Sequence, residues 1–251
     1  MKKVFGMGKG SAIALFALAF AFFVVDGPAA AQNLTLDFGE GGSATGRLLQ
    51  LIALLTVLSL APSILVMVTS FTRIVIVLSF VRSAMGLQQT PPNAVLISLA
   101  LFLTAFIMQP TLEAAYRDGI APLIDEQITG EEAFERTTAP LHSFMMTHVR
   151  EEDLGLFIDM AKLETIERPD DTPLRVLIPA FMISELRRAF EIGFLIFIPF
   201  LIIDLVVASI LMSMGMMMLP PIMISLPFKV IFFVLVDGWH LIAGSLIKSF
   251  N

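Results

Sequence analysis

Four apolar runs, at 48–68, 95–108, 192–212 and 222–247, constrain this chain more than any other feature. Runs of this kind bury themselves in lipid or against other apolar surface, and they place the chain among multi-pass membrane proteins. The bias extends to the whole sequence, in which 57% of 251 residues are hydrophobic, against roughly 45–50% in soluble domains. The runs are not those of plain lipid-facing helices. Pro62, Pro199 and Pro227 interrupt three of them, and Asp204, Lys229, Asp237 and His240 lie inside the last two. A proline removes a backbone hydrogen bond and crowds the preceding turn. Unsatisfied backbone survives in hydrocarbon only where protein or water covers it. An ionisable side chain near mid-bilayer costs about 2.5–3.5 kcal/mol on insertion scales. The sequence therefore predicts an all-α membrane protein built from two broken helical hairpins, 47–110 and 190–251.

The segment between the hairpins differs in kind. Residues 111–188 carry 16 acidic and 8 basic side chains. Apolar positions such as Leu154, Phe157, Ile158 and Ala161 recur at helical spacing, and Pro122, Pro140, Pro169 and Pro173 punctuate the stretch. This reads as a mostly helical, water-facing insert over 111–189. At the N-terminus, Lys2, Lys3 and Lys9 precede an apolar stretch at 13–25, and Ala29-Ala30-Ala31 stands before Gln32. That order is a cleavable signal peptide, 1–31. The alternative, an uncleaved first span, is disfavoured because Asp26, Gly27 and Pro28 end the apolar run short of the roughly 20 residues a span needs. Residues 32–46, rich in Gly, Ser, Thr and Asn, read as a flexible mature N-terminus. Arg73 and Arg82 occupy the one basic linker that lacks acids, so the positive-inside rule assigns it to the cytoplasm. The acidic insert then falls on the periplasmic or extracellular side.

Several chemistries are disfavoured. The chain has no cysteine, so thiolate metal sites and disulfides are absent. His142 and His148 are six residues apart, off the i, i+4 face, and no H-E-x-x-H or G-x-S-x-G pattern occurs. Glu151-Glu152-Asp153 is read as a solvated loop or helix start. The net charge of -6 gives no reason to expect nucleic acid. No catalytic residue, metal or cofactor is assigned.

Two features remain. Lys229 calls for a carboxylate, and Glu185, Glu191, Asp204 and Asp237 are the candidates. Asp237 is two helical turns away, too far for a direct intrahelical pair, so a partner from another hairpin or another subunit is expected. Snorkelling of the lysine and a proton relay through Asp204 or Asp237 are the alternatives; Asp204 and Asp237 are both expected to be buried charges. Next, Gly215 and Pro220-Pro221 end helical continuity between the last two runs. Met216, Met217 and Met218 fall between them, with Met212 and Met214 before and Met223 after. Methionine is unbranched and polarizable, and fills irregular gaps or re-packs at adaptable surfaces. Several copies around an axis would close a pore by hydrophobic contact. Taken alone, the stretch reads first as core filler and second as a gate. Copper binding by its thioethers would need other soft ligands nearby.

Longer motifs surround these features. Ser70-Phe71-Thr72-Arg73-Ile74-Val75-Ile76-Val77-Leu78-Ser79-Phe80, then Gln88-Gln89-Thr90-Pro91-Pro92-Asn93, resemble the FliP/SctR family of type III secretion export gates. Met216-Met217-Met218-Leu219-Pro220-Pro221, Ser225-Leu226-Pro227-Phe228-Lys229 and Val236-Asp237-Gly238-Trp239 continue the likeness in the same order. It covers roughly 48–250, and the signal peptide and Gly244-Ser245-Leu246 are similar to the flagellar branch. The resemblance implies a homo-oligomeric ring of five subunits with one FliR, FliQ wrapped outside and FliO as assembly factor. The ring would sit in the flagellar basal body and pass unfolded flagellar subunits outward. The resemblance also implies a methionine gasket at Met216, Met217 and Met218, an inter-subunit ion pair between Glu185 and Lys229, and hairpins wound into a spiral. A small-solute or ion transporter, suggested by discontinuous helices and buried charge, is the competing reading.

Overall fold

The computed structural model describes residues 44–163, 171–216 and 219–250. The expected signal peptide, 1–31, and most of the expected flexible segment lie outside these residues. Internal contacts divide the chain into Met1–Leu54 and Leu55–Asn251. The first unit contributes only the helical residues 44–54, and all packing below belongs to the second.

Among the described residues the chain is helical throughout, without a strand. The elements are α1 (Ala44–Met67), α2 (Phe71–Ala84), α3 (Asn93–Ala115), a π-helical turn (Tyr116–Ile120) leading into α4 (Ala121–Ile124), α5 (Gly130–His148), α6 (Glu151–Met160), α7 (Leu174–Ser213), α8 (Pro221–Leu235) and α9 (Gly238–Lys248). Local chemistry sets the starts. Pro92, Pro173 and Pro220 immediately precede α3, α7 and α8, where a proline's fixed φ suits helix entry. Thr129 caps α5 by accepting the Glu132 amide at 3.3 Å, with Glu131 and Glu132 in the first turn. The end of α2 is closed by Gly86 at φ 78°, with Leu87 N–H bonded to the Arg82 carbonyl and Met85 N–H to that of Val81. A left-handed residue is needed there, and glycine adopts it without strain.

The prolines do not break the helices as expected. α1 passes through Pro62, α3 through Pro110, α7 through Pro179 and Pro199, and α8 through Pro227. Each removes one N–H, and the rest of the i to i−4 ladder carries the helix on. The interruptions come where the backbone turns left-handed: Gly215 at φ 73° between α7 and α8, and Asp237 at φ 49° between α8 and α9. Helix limits also depart from hydropathy limits. The helical path of α3 extends past 110 to Ile124, and α7 begins at Leu174 rather than near 190.

Two helical stretches, Asn93–Ile124 and Leu174–Ser213, are long and apolar enough to cross a membrane, and α8 with α9, bent by 62°, can form a third. The 40 residues of α7 span about 60 Å at 1.5 Å per residue. That is about twice the hydrocarbon thickness, so part of α7 stands outside lipid. The 14 residues of α2 reach only about 21 Å, too short to cross alone.

α2 is the centre of the packing. Ile74, Val77 and Leu78 are buried with Leu96 and Ala100 of α3, Ala189 of α7 and Leu246 of α9. One turn on, Val81, Ala84 and Met85 join Phe200 and Phe233. A third cluster joins Val68 and Met145 to Leu177 and Phe181, seating α5 on α7. The Phe80 ring meets Phe190 and Phe197 edge-on at 5.1 and 6.1 Å between centroids. It reaches that place because residue 193 is glycine: a Cβ there would come within 2.4 Å of the ring.

Candidate functional site

Two polar nodes lie inside this apolar packing. The first is built on Arg73, whose side chain is 3% exposed, against Glu185, which is fully buried. Arg73 Nε donates to Glu185 Oε2 at 2.9 Å, and its Nη2 donates to Oε1. Nη1 donates to the carbonyl and hydroxyl oxygens of Ser249, both at 3.0 Å. The face of the guanidinium lies 3.6 Å from the centre of the Phe250 ring. Phe250 in turn stacks on Phe144 and tilts against His148. One side chain thus ties α2 to α7 and to the residues after α9. A planar guanidinium fits this role because its fork matches a carboxylate while its face remains free to stack.

The second node is built on Lys229. Its Nζ donates to Asp204 Oδ2 at 2.6 Å and to the Ala84 carbonyl at 3.2 Å. Ser225, four residues earlier and on the same face of α8, donates to Asp204 Oδ1 at 2.6 Å. Ser225 and Lys229 are the only polar side chains of α8 and both are buried. Ala84 ends α2, whose last-turn carbonyls lack helical partners, and the ammonium satisfies one of them. This joins α8, α7 and the C-terminal end of α2.

The break between α7 and α8 forms an apolar tip. Met214 and Gly215 amides bond the Ile210 and Met212 carbonyls, and the Met216 amide bonds that of Leu211, so the helix closes before the chain turns. Met212, Met214, Met216 and Met223 are exposed. Met217 and Met218 lie outside the described residues.

The sequence model of the FliP family matches residues 54–246. The chain belongs to the FliP family. It is similar to the flagellar biosynthetic protein FliP of Caulobacter vibrioides, at 59% identity over 234 residues, which is 93% of this chain and 88% of that one. The protein of the same name in Bacillus subtilis is 59% identical over 201 residues, 80% of this chain and 91% of the relative. The FliP of Aquifex aeolicus is 48% identical over 98% of this chain and its own full length.

The residues singled out from sequence take the following places in this FliP-family fold. Glu185 and Lys229 are not brought together within one chain: Glu185 is held by Arg73, and Lys229 by Asp204. Of the other candidates, Glu191 pairs on the surface of α7 with Arg187 at 3.1 Å and Arg188 at 3.5 Å. Asp204 is half-buried, whereas Asp237 is exposed, a correction to its expected burial. It stands at the bend before α9, where the chain must leave one helix axis for another. His142 and His148 each bond a backbone carbonyl, of Thr172 and Phe144 respectively, both at 2.8 Å. Arg73 and Ser225 were not recognised as site residues from sequence. Arg73, directly before the apolar stretch Ile74–Leu78 of α2, and a serine four residues before the only charge in α8, were the available signals.

Proposed function

We propose that this FliP-family chain is the pore-forming subunit of the flagellar type III export gate, passing unfolded flagellar subunits across the inner membrane. Its membership makes it a component of flagellum biogenesis, and its long apolar helices suit a membrane-embedded one. The observation that carries the finer reading is the methionine tip. Core filler would be buried, yet Met212, Met214, Met216 and Met223 all face outward at the end of α7 and start of α8. An exposed, adaptable apolar tip suits closure against copies of itself. In this reading Met216, Met217 and Met218 of each subunit form a gasket in a ring of five completed by FliR, with FliQ outside and FliO assisting assembly, and the acidic 111–189 segment faces the periplasm. Pairing of Glu185 with Lys229 across subunits would require one of their in-chain contacts to open, since neither head group reaches the surface.

The test replaces Met216, Met217 and Met218 together with glycine in the assembled complex. The expected result is ion leakage across the membrane with secretion partly retained. A complex that assembles normally and stays ion-tight would refute the gasket.

A further inference from the structure

Two cavities join along α7. The first, of about 590 Å³, lies where the α5–α6 junction and the residues after α9 meet α7; Arg73, His148, Arg150, Arg188 and Phe250 are among its walls. The second, of about 400 Å³, is a groove between α7 and α9, with Val77, Ile196, Leu241, Ile242 and Leu246 among its walls. Ile192, Leu195 and Ser249 line both. Cavities of roughly 300–1,000 Å³ are the size of small-molecule sites.

The first cavity is cationic. Among the described residues its lining has three arginines and one acid, Glu191. Arg73 is committed to Glu185 and Ser249. The other two are less completely matched. Arg188, 57% exposed, has a single ion-pair contact, 3.5 Å to Glu191, and Arg187 takes the same carboxylate at 3.1 Å. Arg150 is held by Glu152 through Nη2, while its Nη1 is buried without a hydrogen-bond acceptor, 3.6 Å from Asp153 Oδ2. Guanidinium forks suit phosphate oxygens, and here the chain's own carboxylates leave donors unmatched.

The two cavities straddle a change in α7. Glu185, Arg187, Arg188 and Glu191 are followed by no ionisable residue until Asp204. Arg188 and Glu191 stand at the cationic cavity and Ile196 in the groove, about 12 Å further along the helix at 1.5 Å per residue. A hydrocarbon boundary falls where charge gives way to a sustained apolar run. The cationic cavity is then at the level of lipid head groups and the groove at the level of acyl chains.

We propose that the two cavities together hold one anionic phospholipid, its phosphate beside Arg150 and Arg188 and an acyl chain in the groove between α7 and α9. A soluble anion would use the first cavity and leave the groove empty. An apolar helix would fill the groove and leave the arginines unmatched. A molecule with a phosphate at one end and hydrocarbon at the other uses both, and basic pockets between membrane helices hold anionic head groups in this way. The site stands whether or not the methionines seal a pore.

The test uses the full chain in its complete complex with partner subunits, extracted in mild detergent and stripped of lipid. Because the chain has no cysteine, Leu195→Cys, at the junction of the cavities, reports occupancy through its maleimide labelling rate. Phe194→Cys, exposed and outside both cavities, is the control. The arms are phosphatidylglycerol, phosphatidylcholine with the same acyl chains, and inorganic phosphate. The net charge of -6 opposes non-specific attraction of an anionic lipid, so a preference reports a local site. Position 195 is expected to label freely in the stripped complex. Phosphatidylglycerol should protect it at about fivefold lower concentration than phosphatidylcholine, the factor one basic residue contributes near anionic lipid. Arg188→Gln should abolish that preference and Arg188→Lys retain it; position 194 should label at one rate throughout. Equal protection by the two lipids, a preference that survives Arg188→Gln, or equal protection of position 194 overturns the proposal. Protection by phosphate alone overturns it in favour of a free anion. A stripped complex closed to maleimide at 195 overturns it in favour of a covering protein partner.

Discussion

Replacing Arg73 with methionine isolates the energetics of the first polar node. The substitution keeps most of the length of the side chain and removes its charge. It strands the Glu185 carboxylate, which is 0% exposed and has Arg73 as the donor to both oxygens. Removing one partner of a buried pair costs about 3–5 kcal/mol, because the remaining charge is left without compensation. The carbonyl and hydroxyl of Ser249 lose their donor too, but they are only partly buried and water replaces much of what is lost. Arg73→Met is therefore expected to destabilise the fold by about 3–5 kcal/mol, and Glu185→Leu by a similar amount. The double variant removes both charges together, and replacing such a pair by apolar side chains is often close to neutral. It should fall within about 2 kcal/mol of wild type, leaving a large non-additive term in the cycle. SDS-induced unfolding of the detergent-solubilised chain, followed by far-ultraviolet circular dichroism, measures all four proteins. A cost below about 1 kcal/mol for Arg73→Met, or a double variant as unstable as the sum of the singles, would refute the view of a dry, mutually dependent pair.

Two further substitutions test the packing around these nodes. Gly193→Val places a side chain where a Cβ alone would lie 2.4 Å from the Phe80 ring; overpacking of this kind costs about 1–3 kcal/mol, and Phe80→Leu in the same chain should recover part of it in the same unfolding assay. Ser184→Ala removes a buried hydroxyl that accepts the Arg150 amide at 3.0 Å and lies 2.7 Å from Asp153 Oδ2. Stranding that amide costs about 1–3 kcal/mol, read as earlier proteolysis at the junction of α5 and α6 with α7 otherwise protected.

Much of the fold class was legible in sequence because it follows from composition and spacing. In an apolar medium only helices and closed barrels satisfy their backbone, and long apolar runs without period-two alternation fit the helix, so the all-α membrane architecture follows from the pattern before any contact forms. The interruption at Gly215 to Pro221 was legible for the same local reason, since a left-handed glycine followed by two prolines ends a helix in any context. Interruption at Pro62, Pro199 and Pro227 was misread. Proline removes a single hydrogen bond, and whether a helix ends there depends on neighbours that a sequence does not reveal.

The partners of the charges were decided by tertiary structure alone. Lys229 had four carboxylates to choose from along the chain, and it meets Asp204 because α7 and α8 fold back as a hairpin that aligns residues 21 and 25 positions apart. Glu185 meets Arg73 across 112 residues because α2 packs at the centre of the fold. Sequence states that a charge inside an apolar run must be compensated, since desolvation is a local cost. It does not state by which group, since that depends on helix crossing and rotation set by the whole core. For this chain the sequence determined that it would be helical, apolar and broken at the methionines. Only the packing of α2, α7 and α8 decided that its buried charges would tie three helices together beneath that break.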